Sequence, residues 1–586
     1  MRFGFSNALG VTTSPTELIM SRTLILIAAP SLVVISLALS AHAQQVPNAT
    51  PGTVEMTEPP TPAPAGFNNR ANGFTEQAQF DRDRKAFEEV ETILPETKDD
   101  NAATAELRKG RSSATPPRSS ENSEAGGGLG PVYNATSCVS CHQNPITGSS
   151  SQVSEIRAGH RDPNTGNFIE PPGGSLIHQR AIRAEIQEHV RPGDNVRTLR
   201  MSVNTLGNGF VEVIQDQTII DICNAQPRDM QGLPIIVPVA VAVETVADGE
   251  PDEFKFVLRI GRFGWKAQEA SLLNFSANAY LNEMGITSPL QPNENKSNGR
   301  DVSQFDEVAD PEDEAQPKPN LSTPKPTKTD DFLHPFGEDV EAFARFMRST
   351  KVPPRDFALT ELDIFKDVVK AGEKIFSDIK CAVCHTPQYI TPPAGTPIRP
   401  IWRRNNSIPG IDFGRDDKQG VVPEALGNKI LRPFSDFMLH DIGTGDGIVQ
   451  TQDAQRPARG AQRFLQQAEQ APEIQWLQQA PAEADRCVVH MVQDLAAQPT
   501  STTAENLEGI KASGARVLDG RTANMIRTAP LWGLRVRPQL LHDGSALTIE
   551  EAILRHSVQA KDAKEAFERL SSPNYSWELA IGDASA

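Results

Sequence analysis

The apolar and polar positions of this chain follow three different rhythms. Residues 24–39 (LILIAAPSLVVISLAL) form one short unbroken apolar run, preceded by Arg22 and followed by Ala41-His42-Ala43. A basic flank, a short apolar core and an A-x-A site describe a cleavable secretory signal over residues 1–43, and the run is short of the ~20 residues a spanning helix needs. Met20 is the expected start, because residues 1–19 add nothing to such a signal. No second run of that length follows, so the mature protein is expected in the periplasm with no stable membrane span. The second rhythm is helical: FDRDRKAFEEVETIL (80–94) places Phe87, Val90 and Leu94 at spacings of three and four, which predicts an amphipathic helix. GEKIFSDIK (372–380) and IEEAILRH (549–556) read the same way. The third rhythm is β-branched and partly alternating. VEVIQDQTIIDI, PIIVPVAVAVETV and EFKFVLRI, with ADGEPDE as a turn, predict a small β insertion over about 196–263.

Between these segments lie stretches that bury little. Residues 44–76 (including TEPPTPAPAGFNN) read as a flexible leader. A Ser/Gly-rich gap runs from about 98 to 128, and a Pro/acid-rich linker over 291–331 is the expected domain boundary. Residues 446–520 are rich in Gln and Ala and read as an insertion.

Composition narrows the field. The chain has 586 residues, 38% of them apolar, with 46 Pro and a formal charge of −18. Phosphate binding needs a concentrated basic surface, so this balance argues against a nucleic-acid partner. GGGLG at 126–130 does not head a βαβ unit, so no dinucleotide site is expected. Six cysteines in so long a chain do not make a disulfide scaffold.

Their placement carries the chemistry. Cys138-Val139-Ser140-Cys141-His142 and Cys381-Ala382-Val383-Cys384-His385 are both C-x-x-C-H, a pentapeptide expected by chance on the order of 0.001 times in such a composition. Two thiols three residues apart can each form a thioether with a haem vinyl group, and the following His is aimed at the iron. Export favours this, because haem is attached to such motifs outside the cytoplasm. A redox C-x-x-C pair does not need the His, and a four-Cys zinc site would have to unite distant pairs. The sequence therefore predicts two covalently bound c-type haems. Cys223 and Cys487 remain, as a disulfide or as buried thiols.

Around these motifs the chain resembles the exported di-haem oxidoreductase family, a relative of bacterial dihaem cytochrome c peroxidases and of the dihaem enzyme that forms tryptophan tryptophylquinone. The matching segments are GGGLGPVYNATSCVSCH (126–142), GRFGWKA (261–267), NEMGITSP (282–289), RPFSDFMLHDIGTG (432–445) and RTAPLWGL with LLHDGSALTIEEAILRH (527–556). The resemblance implies a mainly α fold: two cytochrome c-type haem domains, 77–290 and 332–586, with long loops and a small β insertion in the first. It implies His385 and His556 as axial ligands of the C-terminal haem iron, since His556 lies fourteen positions after His542 of the His542-Asp543-Gly544 motif, where relatives usually carry Met. Bis-His ligation lowers the potential relative to Met.

His142 would hold the N-terminal haem iron. Glu283, in the Glu283-Met284 pair, matches a distal acid/base of the relatives, and Leu273 stands where they have Gln. Trp265 falls near a Trp that relays electrons between haems. His160, eighteen residues after His142, is a candidate distal ligand of the first iron, although His178 and His189 also follow. His440 belongs to a shared motif without a derived role. The relatives also hold calcium between domains, largely through backbone carbonyls, with Pro538 near one such position; carbonyls leave no side-chain signature, so Ca2+ stays open. The implied activity is peroxidase-like, on peroxide or dioxygen, with a small cytochrome c or cupredoxin as donor. A pure electron carrier, or an oxidase or oxygenase acting on an organic or protein substrate, are the alternatives.

Overall fold

A computed structural model describes residues 58–93, 128–317, 332–356, 362–449, 461–478, 487–491 and 516–571, except positions 248, 249, 307, 309, 405–407, 414–419, 488 and 519. These residues all belong to one compact unit that begins at Val46. The apolar run at 24–39, Leu94 and the Ser/Gly-rich gap up to 127 lie outside the described residues. No helix among the described residues is long and apolar enough to cross a membrane.

The expected mainly α fold is wrong. Among the described residues helix takes 31% and strand 18%, and the longest strands form a hairpin, Ile235–Ala247 paired antiparallel with Glu250–Ile260. Trp402–Arg403 adds to one edge of this hairpin and His490–Met491 to the other, so the sheet draws strands from three distant parts of the chain. A second sheet is built on Ser154–Arg161, flanked by Val196–Met201, Leu176–Ile177 and Phe168–Glu170, with Arg516–Leu518 outermost. Short strands separated by loops, such as Leu176–Ile177, carry too few residues to show an alternation, which is why the sequence under-reports β structure.

The hairpin is where its β-branched run predicts it, but VEVIQDQTIIDI is not strand. Residues Asn208–Glu212 and Asp216–Ala225 are helical, the second burying Ile219, Ile220, Ile222 and Cys223 on one side. Tertiary burial of that face outweighs the weak β preference of isoleucine. The N-terminal helix spans Gln77–Glu88, with Phe80, Asp83 and Phe87 buried. It stops before Val90, which is 56% exposed and adds nothing to the apolar stripe.

Three helices form the packed floor beneath the first cysteine motif: Gln77–Glu88, Leu272–Met284 and Glu338–Ser349. Phe346 meets Phe80 and Phe87 at centroid distances of 5.4 and 4.8 Å, and Phe343 meets Tyr280 edge-on at 5.0 Å. Asp313 caps the third helix, accepting from Asp339 N at 3.2 Å and Val340 N at 3.0 Å. Residues 58–76, read as a flexible leader, are seated on the protein. Thr61–Pro62 pairs parallel with Lys429–Ile430, and Asn72 Nδ2 donates to Arg348 O and Thr350 O at 2.8 and 2.9 Å. Prolines deny this segment regular structure but not partners, because their carbonyls and their neighbours still bond.

Candidate haem sites and the residues between them

The second cysteine motif follows a helix, Asp363–Asp378, that ends at Lys380 in the left-handed region (φ 67°) and restarts as Cys381–Cys384. That break turns His385 toward the helix Ile549–Leu554 and His556 just beyond it. His385 Nδ1 donates to Phe434 O at 3.0 Å, and His556 Nδ1 donates to Ala552 O at 2.8 Å. A ring that donates from Nδ1 keeps its lone pair on Nε2, the nitrogen that binds metal. Burial pushes both imidazoles toward the neutral form, His385 down to about 4 with His556 adding to the effect. The two ring centroids are 6.5 Å apart. Two neighbouring neutral imidazoles, each tethered through Nδ1 with Nε2 left to bind metal, are a donor pair that would suit one haem iron. Phe376 lies 6.2 Å from the His385 ring, and Leu554 and Val558 beside His556 are 41% and 58% exposed, an apolar frame suited to a porphyrin edge.

His440 sits behind this site. Its Nε2 bonds the Asp436 carboxylate at 2.7 Å and its Nδ1 faces Cys384 Sγ at 3.5 Å.

The first motif is a single 3-10 turn, Cys138–Ser140. His142 Nδ1 donates to Ser149 O at 3.0 Å, and burial again favours the neutral ring. Burial also raises the thiols: Cys141 is pushed up to about 12 and Cys381 to about 11. All four motif cysteines are free, whereas Cys223 and Cys487 form a disulfide. The chain thus sets its cysteines apart as two thiol pairs, each with its own His, and among the described residues no metal-ligating group unites the pairs. That donor set fits two covalently attached haems and does not fit a four-Cys zinc site.

Glu283 lies at the C-terminal end of the helix Leu272–Met284 and is held to the segment that leads into Cys138. Its carbonyl accepts from Asn134 N and Ala135 N at 2.8 and 2.9 Å, and its carboxylate accepts from Asn134 Nδ2 at 3.1 Å. The approach is close enough to exclude side chains: a Cβ on Gly130 would stand 1.9 Å from Gly285 O, and Gly285 itself has φ +72°. Gly130 and Gly285 are therefore needed as glycines. Leu273, at the helix start, is buried in the core.

Sequence reasoning missed the partner of Glu283. Glu155, at the start of strand Ser154–Arg161, hydrogen-bonds its carboxyl. Burial raises Glu283 to about 8, and the Glu155 charge adds to it. Glu155 itself is held below the usual range: burial opposes this, but Arg157 at 2.8 Å and Arg200 outweigh it. The pair therefore shares one proton, kept on Glu283. No motif marks Glu155; its only sequence signal is its position on a strand that the pattern did not reveal.

From Glu155 a buried ladder of charges continues. Arg200 bonds Asp446 at 2.8 Å, and Lys266 bonds the other oxygen of Asp446, also at 2.8 Å. The adjacent Trp265 donates from Nε1 to Met201 O at 2.7 Å and meets the His542 ring edge-on at 6.2 Å. Met201 N in turn donates to His542 O at 2.7 Å. Trp265 thus sits between the strand that leads to Val203, a backbone partner of His142, and the segment that leads to His556. Asp446 is the keystone of the ladder, its carboxyl held far below the usual range by Arg200 and Lys266 against the effect of burial. Asp446→Asn leaves buried Lys266 without a carboxylate and Arg200 with only Glu155, and should cost about 3–5 kcal/mol, read as a lower denaturation midpoint at pH 7. Because this pKa is depressed, the Asp446 contribution is present above about pH 4 and fades as pH falls below it. A variant with wild-type stability at pH 7 would show that the ladder is not cohesive.

His160 is not brought to this site. It lies at the other end of the strand from Glu155, about 16 Å away along the backbone, with Nδ1 on Gly193 O at 2.8 Å.

A family model described as di-haem oxidoreductase, putative peroxidase, matches residues 179–458. The matched stretch includes Trp265, Glu283 and the Cys381–His385 motif, while Cys138–His142 and His556 lie outside it. No curated protein and no solved structure gives a significant match.

Proposed function

We propose that this chain, a member of the di-haem oxidoreductase family, is an exported, periplasmic peroxidase-type enzyme with two covalently attached c-type haems. Cys138, Cys141 and His142 would hold one haem, and Cys381, Cys384, His385 and His556 the other. The bound groups supply one-electron transfer and an iron at which peroxide is reduced. The observation that carries the reading is the asymmetry of the two sites. One presents a second imidazole opposite the first, whereas the other places a proton-sharing carboxyl pair beside the cysteine motif.

In this reading the protein's residues divide the work. His385 and His556 close the C-terminal site to substrate and leave it as the entry point for electrons. Trp265, packed between the two approach segments, bridges toward His142. Glu283 gives its proton to the departing oxygen of peroxide, and the Glu283–Glu155 pair takes up the proton that peroxide releases. Arg157 and Arg200 keep Glu155 ionised, so the pair holds only one proton at a time. The formal charge of −18 favours a basic or dipolar donor, a small cytochrome c or cupredoxin, docking more weakly as salt rises.

Low-temperature EPR of the purified diferric protein tests this. One high-spin and one low-spin signal are expected, with the high-spin signal lost on adding peroxide. Two low-spin signals that peroxide leaves unchanged, even after one-electron reduction, would make the protein an electron carrier and remove the role of Glu283. In the same experiment His556→Ala should abolish the six-coordinate low-spin signal of the C-terminal site; an unaltered spectrum would strike His556 from the ligands.

A further inference from the structure

The Pro/acid-rich stretch after residue 290 holds a feature that the haem chemistry does not use. Glu294, Asp306 and Asp310 each offer a carboxylate oxygen, and the three atoms lie within 4.8 Å of one another. Glu312 stands beside them, close enough that Asp306 and Asp310 raise its pKa after burial has done so. Some of these oxygens have partners. Asp310 accepts from Thr287 Oγ1 at 2.6 Å, Glu312 from Thr287 N at 3.0 Å, and Asp306 from Val308 N at 3.0 Å. Glu294 differs. Its residue is half-buried, but each carboxylate oxygen shows less than 1 Å² to solvent and no N–H or hydroxyl donor reaches either. The group it meets is the carboxylate of Asp310.

Burying a carboxylate against like charges is costly unless it takes up a proton or a cation joins them; here three further acidic side chains surround one pair of donor-less oxygens, an arrangement that favours the cation. From this geometry we propose that Glu294, Asp306 and Asp310, with Glu312 alongside, form a calcium-binding site. The donor set is oxygen only, which suits a hard cation and disfavours zinc or copper. Four acidic side chains carried on loops can supply the many oxygens in adaptable geometry that calcium takes, whereas magnesium keeps several of its waters.

The ligands come from two loops that Thr287 already joins. Thr287 lies three residues after Met284, the end of the Glu283 helix, and Asp313, next to Glu312, caps the helix Glu338–Ser349. A bound ion would clip the two helices of the haem-bearing floor together through these loops. The site is made of side chains and is separate from any carbonyl site near Pro538. It stands whether or not the protein turns over peroxide.

Equilibrium dialysis of the haem-loaded protein against calcium chloride, after chelation and desalting, provides the test, with thermal melting in parallel. Wild type should bind calcium and melt at a higher temperature when it is present. Glu294→Gln with Asp310→Asn should bind one calcium fewer per chain. Without metal, that variant should melt no lower than chelated wild type, since amides remove the repulsion. Equal calcium stoichiometry in wild type and variant would overturn the proposal. So would a wild type that neither binds calcium nor is stabilised by it, which settles the matter without a variant.

Discussion

Glu283→Gln is expected to lower peroxide turnover with a reduced cytochrome donor by about 10²–10⁴-fold, the usual worth of a positioned acid–base group. Haem content and the visible spectrum should not change. The amide is nearly isosteric and can still accept from Asn134 Nδ2, which bonds the carboxylate at 3.1 Å in the wild type, but it carries no transferable proton. The pH dependence is the sharper readout. Glu283 is raised to about 8, by burial first and by the Glu155 charge second, so it is protonated below that pH and loses its proton above it. Wild-type turnover should fall as pH rises through about 8, and the variant's residual rate should be flat there. Stability follows the same sign. A carboxyl whose folded pKa is raised contributes fully below its unfolded pKa of about 4.3 and loses that contribution as pH rises through about 8. A Gln variant that retains full turnover would remove Glu283 from the chemistry.

The second large effect is on stability. Cys223 and Cys487 are joined across 264 positions of sequence, with Cα atoms 5.6 Å apart. The bond ties the helix Asp216–Ala225 to the segment whose His490–Met491 strand completes the hairpin sheet. In the chain-entropy model a loop of that length gives on the order of 5 kcal/mol. Replacing both cysteines by serine should lower the denaturation free energy by up to about that amount while leaving both haems attached, because neither residue belongs to a C-x-x-C-H motif. Thiol titration of the denatured, unreduced holoprotein supplies the check: no free thiol is expected from this pair, and two would refute the bond.

The parts of the protein that were legible in sequence are those whose chemistry needs neighbours along the chain. Each C-x-x-C-H motif is complete within five residues, so the proposed haem attachment can be read without a fold. The β-branched run ending in EFKFVLRI likewise specified its hairpin, because pairing partners close in sequence need only a turn between them. Glu283 and His556 could be named through resemblance, since each lies within a short recognisable segment. Glu155 could not. It meets Glu283 only because a strand with no legible alternation crosses beneath a helix more than a hundred residues later.

The same distinction explains the errors. The segment 211–222 has the composition of a strand, yet Asp216–Ala225 is a helix because the core accepts Ile219, Ile220 and Cys223 from one helical side. Proline-rich residues 58–76 looked unattached because their partners, Arg348, Thr350 and Lys429, are hundreds of positions away. The acids after residue 290 looked like a solvated linker, although Glu312 and Asp313 are bonded to Thr287 and a helix start.

What the sequence carries by itself is therefore the two thiol-and-imidazole motifs on which the proposed haem chemistry rests, and the net negative charge. The tertiary structure decided which carboxylate shares its proton with Glu283, that His556 and not a more distant group faces His385, and that Trp265 lies between the two approach segments. Those outcomes depend on distances across the core, where burial and low dielectric shift a carboxyl toward neutrality and hold an imidazole in one tautomer, and no local pattern of residues encodes such distances.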